Sequence, residues 1–181
     1  MSPLNKLAEE GQAVWLDFVE RKFLAEDGLQ TLIARDGVTG VTSNPSIFEQ
    51  AMSQGKAYDA ALAGFDRAYP DASTRARYEF LAIGDVRAAA DDLRDVYDRL
   101  DARDGYVSFE VSPLLAMDSD GTIAEAARLW ATTDRPNLMI KITLFVASIF
   151  PAKSQKVSSW SRARRIHGPR ETSLSMTRRG L

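Results

Sequence analysis

Four short apolar segments, rich in β-branched and aromatic residues, alternate along this chain with longer segments of helical character. Strands that alternate with helices are typical of α/β folds, because each helix returns the chain so that the next strand runs parallel to the last. We therefore predict an α/β fold with a parallel sheet, built from about four βα units. The predicted strands are residues 13–18, 38–43, 106–111 and 138–142.

The segments between these strands carry recognisable helix ends. Apolar residues spaced by three and four predict one helix that stops near Gly37 and a long helix over residues 73–100, bent near residues 84–85. Residues 46–49 and 122–125 have the pattern of capping boxes, in which Ser or Thr is followed three positions later by Glu. We expect each of them to open a further helix.

One polar side chain accompanies each predicted strand, and the four residues are Asp17, Asn44, Glu110 and Lys141. They lie inside or at the C-terminal ends of the strands, which is where parallel barrels place their catalytic groups. An amine, two carboxylates and an amide at one edge of a sheet suit chemistry in which a lysine forms an imine with a ketone. The pattern therefore predicts a candidate active site at this edge.

Lys141 and Glu110 each have a catalytic and a structural interpretation. The amine of Lys141 lies within an apolar run, where loss of hydration favours the neutral, nucleophilic form. A lysine on an edge strand also discourages aggregation, and the pentapeptide alone favours that interpretation. Glu110 suits proton transfer beside an amine, or it faces solvent on an alternating strand.

The remaining candidates lie near the ends of the first two strands. Asp17 suits proton transfer, or it is a buried carboxylate that caps a loop or pairs with an arginine. Asn44 precedes a proline and has the form of a turn and helix start, although its amide also suits a substrate hydroxyl. Thr42 and Ser43 are further substrate-binding candidates, with an ordinary strand or turn role as the alternative.

Composition limits the classes of function. The chain has 181 residues, 45% of them hydrophobic, which suits one sizeable core. It has no cysteine and one histidine, His167, which excludes disulfides, thiol nucleophiles and histidine pairs within the chain. Its longest apolar stretch, residues 144–150, is too short to cross a membrane, and its start lacks a signal-peptide pattern. We expect a cytoplasmic protein without a membrane partner.

The charge changes sign along the chain. Residues 1–142 hold 15 Lys and Arg against 24 Asp and Glu, whereas residues 143–181 hold 8 Lys and Arg against one Glu. Such a switch indicates a change of domain or a tail. We predict a partial α/β barrel over residues 1–150 and a basic Ser/Arg-rich tail over residues 151–181, disordered or non-native. The tail lacks repeated aromatic residues, so nucleic acid is not an expected partner.

Four segments, taken in order, resemble the transaldolase family. Residues 37–48, Gly-Val-Thr-Gly-Val-Thr-Ser-Asn-Pro-Ser-Ile-Phe, resemble its first signature. Residues 137–142, Asn-Leu-Met-Ile-Lys-Ile, resemble the start of the second signature, which bears the imine-forming lysine. Residues 13–17 and 106–113 resemble further strands of the family, so the resemblance covers about residues 4–142.

The resemblance implies a (β/α)8 barrel and a metal-free transferase of the pentose phosphate pathway that needs no cofactor. Such an enzyme moves a dihydroxyacetone unit from a ketose phosphate to an aldose phosphate. By position, Lys141 would form the imine, and Glu110 would act through a water as acid and base. Asp17 would take the proton that starts carbon–carbon cleavage, and Asn44 would hydrogen-bond the bound dihydroxyacetone unit.

After residue 142 the sequence departs from the family, and no later family segment is recognisable. We therefore expect a truncated chain of low stability and impaired activity, which self-associates through open sheet edges. Three alternatives stay open. They are a fructose-6-phosphate aldolase-like enzyme, a fragment of a fused transaldolase–glucose-6-phosphate isomerase, and a non-catalytic remnant or binding module that uses the tail.

Overall fold

A computed structural model describes residues 2–54 and 56–142, which form a parallel sheet with connecting helices. Its strands pair in the order β1-β2-β3-β4, which is also their order along the chain. Each neighbouring pair is parallel. The strands are β1 (Val14–Leu16), β2 (Val38–Thr42), β3 (Val107–Glu110) and β4 (Leu138–Lys141). The predicted α/β class with a parallel sheet is confirmed.

Within the described residues, eight α-helices precede or connect the strands. Helix α1 (Asn5–Glu9) precedes β1, and α2 (Arg21–Ala25) and α3 (Gly28–Asp36) join β1 to β2. The connection from β2 to β3 contains α4 (Pro45–Ser53), α5 (Asp59–Ala68), α6 (Thr74–Asp92) and α7 (Arg94–Arg99). A 3-10 turn (Pro113–Leu115) and α8 (Ser119–Thr133) join β3 to β4.

The hydrophobic core lies between one face of the sheet and the helices. Alternate residues of β3 and β4 belong to it, namely Val107, Phe109, Leu138 and Ile140. Helix α6 contributes a buried stripe that packs into the same cluster. Because side chains alternate across a strand, the residues between these four lie on the opposite face of the sheet.

Strands β1 and β2 meet at a register irregularity that places Trp15 against Gly40. Val14 pairs with Val38, whereas the next residue, Trp15, pairs with Gly40. A β-carbon built on Gly40 would lie 2.3 Å from the indole ring, and the ring Nε1 donates to Asp104 Oδ1 at 3.1 Å. The indole therefore occupies space that only a glycine leaves open.

The helix after β2 starts earlier than the capping box at residues 46–49 predicts. Its N-cap is Asn44, whose Oδ1 accepts from the backbone N–H of Ile47 at 3.0 Å. Pro45 occupies the first turn, where its missing N–H costs nothing. The predicted start was two residues late because the extended Asn44 already caps the helix, which leaves Ser46 within its first turn.

The long helix predicted over residues 73–100 is present, but its break lies elsewhere. Ser73 caps α6 by accepting from the N–H of Ala76 at 3.2 Å. The helix continues through residues 84–85 and ends at Asp92, and α7 follows after Leu93. No break occurs at Asp85 because its carboxylate bonds to side chains of other segments rather than to its own backbone.

Helix α8 begins before the capping box predicted at residues 122–125. Asp118 is the N-cap, and its Oδ1 accepts from the N–H of Gly121 at 2.9 Å. The hydroxyl of Thr122 donates instead to the carbonyl of Leu115 at 2.8 Å. The predicted stop near Gly37 is confirmed, since Gly37 ends α3 in the left-handed region with φ of 70°.

The predicted boundary at residue 150 and the basic tail over residues 151–181 lie outside the described residues. Among the helices of residues 2–54 and 56–142, none has the length and apolar character that crossing a membrane requires. Over the same ranges, no cluster of three His, Asp or Glu side chains is arranged to hold a metal ion. The expectation that no metal or cofactor is needed stays a prediction.

Candidate active site

Strands β3 and β4 place a lysine amine against a carboxylate. Glu110 and Lys141 are register partners in the parallel ladder, so their side chains leave the same face of the sheet. The Nζ of Lys141 lies 2.8 Å from Oε2 of Glu110. The side chain of Glu110 is 13% exposed and that of Lys141 is 42% exposed. The carboxylate is therefore sheltered, while the amine remains accessible to a molecule in solution.

The same face of the sheet carries a row of three side chains, two residues before Glu110 and Lys141 along their strands. Ser108 is the register partner of Thr42 on one side and of Met139 on the other. Ser108 and Met139 each precede Glu110 and Lys141 by two positions, which places them on the same face. Thr42 thus lies on the face that bears the amine, as a substrate-binding residue would have to.

Ser43 and Asn44 end β2 with their side chains engaged in the fold. Ser43 is fully buried, and its hydroxyl donates to the carbonyl of Ser108 at 2.8 Å. The Oδ1 of Asn44 accepts from the backbone N–H of Ile47. This bond orients the side-chain amide and leaves its Nδ2 as the donor group. The predicted substrate contacts of both residues stay predictions, and Ser43 also ties β2 to β3.

Asp17 follows β1 directly and is exposed. The strand predicted over residues 13–18 is shorter in the structure, since β1 ends at Leu16. Phe18 is 42% exposed, and Val19 turns into the core with 0% exposure. Because all the strands are parallel, Asp17 lies at the same edge of the sheet as Glu110 and Lys141.

Tyr78 on α6 is a residue of this region that the sequence pattern identified only as an apolar helix position. Burial, together with the smaller effect of the carboxylates of Glu79 and Glu110, raises the pKa of Tyr78 to about 12. Its ring meets Phe48 edge to face with centroids 6.1 Å apart, and Phe48 meets Phe109 in the same way at 6.0 Å. Tyr78 therefore lies within electrostatic range of Glu110, a relation that no local sequence signal predicts.

The pairing of Lys141 with Glu110 gives a structural setting for the sequence match. Residues 14–154 match the family model described as transaldolase/fructose-6-phosphate aldolase. The chain belongs to this family. The match extends past residue 142, the last residue of the segments that resemble the family. The family's (β/α)8 barrel agrees with the four consecutive parallel strands described above.

Curated transaldolases share nearly half of their aligned residues with this member of the family. The transaldolase of Thermobifida fusca is 47% identical over 148 residues, 82% of this chain and 40% of that protein. The transaldolase of Thiobacillus denitrificans is 48% identical over 142 residues, 78% and 39% of the two chains. Transaldolase 1 of Streptomyces avermitilis is 48% identical over 139 residues, 77% and 36%. The chain spans about two fifths of the length of these relatives.

Proposed function

We propose that this chain carries transaldolase chemistry, the transfer of a dihydroxyacetone unit from a ketose phosphate to an aldose phosphate through an imine on Lys141. The observation that carries the proposal is the 2.8 Å approach of Lys141 Nζ to Glu110 Oε2 at the carboxyl end of paired strands. Family membership and the curated relatives named transaldolase support it. The family description itself names a sugar phosphate.

Imine formation requires a neutral amine and a group that returns protons to the departing oxygen. The carboxylate of Glu110 accepts a proton from the Lys141 ammonium, directly or through a water. The amine then attacks the ketone carbon; Glu110 gives its proton to the carbonyl oxygen, which becomes a hydroxyl, and takes a proton from the attacking nitrogen. Protonation of that hydroxyl by Glu110 releases water and leaves an iminium bound to Lys141.

Cleavage then uses the iminium as an electron sink. In this proposal the carboxylate of Asp17 takes the proton of the hydroxyl on the leaving carbon of the bond that breaks, and that carbon becomes the aldehyde of the product. The electrons of the broken carbon–carbon bond move to the iminium, so that an enamine stays on Lys141 and an aldose phosphate leaves. A second aldose phosphate enters, and the same steps run in reverse.

The residues that end β2 hold the three-carbon unit in this proposal. The Nδ2 of Asn44 donates to a hydroxyl of the dihydroxyacetone unit, since its Oδ1 is already held by α4. Thr42 lies on the same face of the sheet as Lys141. The hydroxyl of Ser43 donates to the carbonyl of Ser108, so in this proposal Ser43 supports binding by holding β2 against β3. The proposal includes a role in the pentose phosphate pathway and the cytoplasmic location predicted from the sequence.

Borohydride trapping tests the central step. The chain is incubated with fructose 6-phosphate, reduced with borohydride and mapped by peptide mass spectrometry. We expect a three-carbon adduct on Lys141 that is absent from Lys141→Met. Lys22→Met is the matched control, since Lys22 is 67% exposed and its nearest carboxylate, on Glu26, is 3.8 Å away. Absence of an adduct from the parent chain, or its survival in Lys141→Met, contradicts the proposal.

The acceptor requirement separates this function from its nearest alternative. A transaldolase consumes fructose 6-phosphate at a sustained rate only when an acceptor such as erythrose 4-phosphate is present. A fructose-6-phosphate aldolase releases free dihydroxyacetone without an acceptor. A chain that does neither, and forms no adduct, is the non-catalytic remnant. Sedimentation over a range of concentrations tests the proposed self-association through sheet edges.

A further inference from the structure

Three side chains from distant parts of the sequence form a largely buried polar cluster at the start of α2, the helix that follows the loop bearing Asp17. Asp85 of α6 is 2% exposed, and its Oδ1 accepts from Arg21 Nε at 2.8 Å. Its Oδ2 accepts from the hydroxyl of Tyr58 at 2.7 Å. The guanidinium of Arg21 lies 4.6 Å from the centre of the Tyr58 ring and also donates to the carbonyl of Leu81. The proposed chemistry uses none of these residues.

Because these polar groups are largely buried, the loss of any one hydrogen-bond partner within the cluster would destabilise the fold. Burial raises the pKa of Asp85, although the hydrogen bonds from Tyr58 and Arg21 oppose this shift in part. Burial also raises the pKa of Tyr58, so its hydroxyl remains a donor at neutral pH. Apolar residues of similar volume often stabilise a core as well as a buried ion pair does. The value of the cluster therefore lies in the geometry that it specifies.

That geometry concerns the loop over residues 17–20, which joins β1 to α2. Arg21 is the first residue of α2, and its backbone N–H donates to the Tyr58 hydroxyl at 3.2 Å. Glu20 caps α2 by accepting from Lys22 and Phe23. The cluster therefore holds the C-terminal end of this loop at Arg21. The loop begins with Asp17, directly after β1.

We propose that Arg21, Tyr58 and Asp85 are positioning residues that hold the β1–α2 loop, and with it the carboxylate of Asp17, for proton transfer in carbon–carbon cleavage. The inference rests on the proposed function, because Asp17 has its role there. A displacement of a reacting group by about 1 Å can cost about a hundredfold in rate. Loss of the Tyr58 hydroxyl removes two of the contacts that hold this loop.

Tyr58→Phe tests the inference with the full chain, since it keeps the ring and removes only the hydroxyl. Hydrogen–deuterium exchange of residues 17–23 should rise by about tenfold, the effect of losing the hydrogen bond from the Arg21 N–H, which is the direct contact between this segment and the Tyr58 hydroxyl. Exchange in β3 should not change. Asp98→Asn is the control, because the Arg94–Asp98 pair is half exposed and lies within α7. Unchanged loop exchange, or a rise of equal size throughout the chain, overturns the inference.

A second measurement separates positioning from a general structural role. In Tyr58→Phe and Asp85→Asn, we expect imine formation, measured as uncleaved fructose 6-phosphate trapped on Lys141 by borohydride, to persist while cleavage, measured as the first-turnover release of aldose phosphate, falls by about ten- to a hundredfold. An equal fall of both steps overturns the inference. If the parent chain forms no adduct, the proposed function fails, and the exchange measurement still decides whether the cluster holds the loop.

Discussion

The side-chain amide of Asn137 donates to the carbonyl of Gly105 at 2.9 Å and so joins the segment before β4 to the segment before β3. The same Nδ2 donates to the carbonyl of Ala90 on α6 at 2.7 Å. Asn137 is fully buried, and its backbone carbonyl accepts from the N–H of Val107. One residue thus links two strands and a helix at the end of the sheet opposite the candidate site.

Asn137→Ala should destabilise the fold by about 2–4 kcal/mol, because two buried carbonyls lose their donor and a cavity remains. Urea unfolding followed by circular dichroism measures this change. Thr133→Val is the control, since Thr133 is fully buried and its Oγ1 has no hydrogen-bond partner among the described residues. The free energy of unfolding of Thr133→Val should equal that of the parent or exceed it by up to about 1 kcal/mol. Equal stability of Asn137→Ala and the parent would contradict the prediction.

Gly40→Ala should destabilise the fold by about 1–3 kcal/mol, the typical cost of inserting a carbon into filled space. The added β-carbon would meet the indole of Trp15 at 2.3 Å. Gly64→Ala in α5 is the matched control, because the nearest atom to its added carbon is the flexible end of Arg67 at 3.9 Å. There we expect a gain of about 0.5–1 kcal/mol from helix propensity. Thermal unfolding of both variants decides between these outcomes, and a loss of equal size in both counts against the role of Trp15.

Glu125→Gln should reduce stability at neutral pH and leave it unchanged in acid. Glu125 accepts from Arg128 at 2.8 Å and from Arg75 at 2.6 Å, joining α8 to α6. The hydrogen bond from Arg128 is the main cause that lowers the pKa of Glu125. A lowered folded pKa stabilises the fold above the unfolded value of about 4.3, and this stability disappears as the pH falls through the folded value.

For Glu125→Gln we expect a loss of about 0.5 kcal/mol near pH 7, the size of a solvent-screened ion pair. The difference from the parent should shrink as the pH is lowered toward about 2, because protonation of Glu125 removes the ion pair in the parent. Asp98→Asn removes the half-exposed partner of Arg94 and should change little at either pH. Urea unfolding at both pH values provides the comparison, and a difference that persists in acid would assign the effect to packing.

Tyr78→Phe should make the protein less sensitive to alkali. Burial raises the pKa of Tyr78 to about 12, so the folded state keeps a proton that the unfolded chain releases near pH 10. That stabilisation is complete below about pH 10 and is lost as the pH rises toward about 12. The unfolding free energy should therefore fall less steeply over this interval in Tyr78→Phe than in the parent. Tyr69→Phe is the control, since Tyr69 is 61% exposed, and parallel curves for all three proteins would contradict the assignment.

The strands were predictable from local sequence patterns. That their polar residues lie together at the carboxyl end of the sheet was predictable too, because the strands are parallel. Val107 and Leu138 lie in apolar runs between turns, and such runs are typical of strands buried in a parallel sheet. A parallel sheet collects the carboxyl ends of its strands at one edge, so Asp17 and Lys141 had to share that edge. The register that pairs Glu110 with Lys141 was not predictable, because it depends on how α8 packs as it returns the chain.

Contacts between distant segments account for the rest of what the sequence did not show. Asp85 was expected to bend α6, yet its partners Arg21 and Tyr58 lie 64 and 27 residues away in the chain. Without those partners in view, a Gly-Asp pair inside a helix predicts a break. Helix α5, in which no residue is fully buried, was also absent from the predicted elements. Helix starts were misplaced by a few residues wherever an Asn or Asp took the cap before the predicted one.

The order of strands in the sheet has a consequence for synthesis on the ribosome. Each strand after β1 pairs with the strand that precedes it in the chain, so β2 needs only β1 and β3 needs only β2. After β1, no strand in the described part waits for a later segment in order to find its first neighbour. A nascent chain can therefore build this sheet one unit at a time from its N-terminus, and each new strand covers the edge left by the one before.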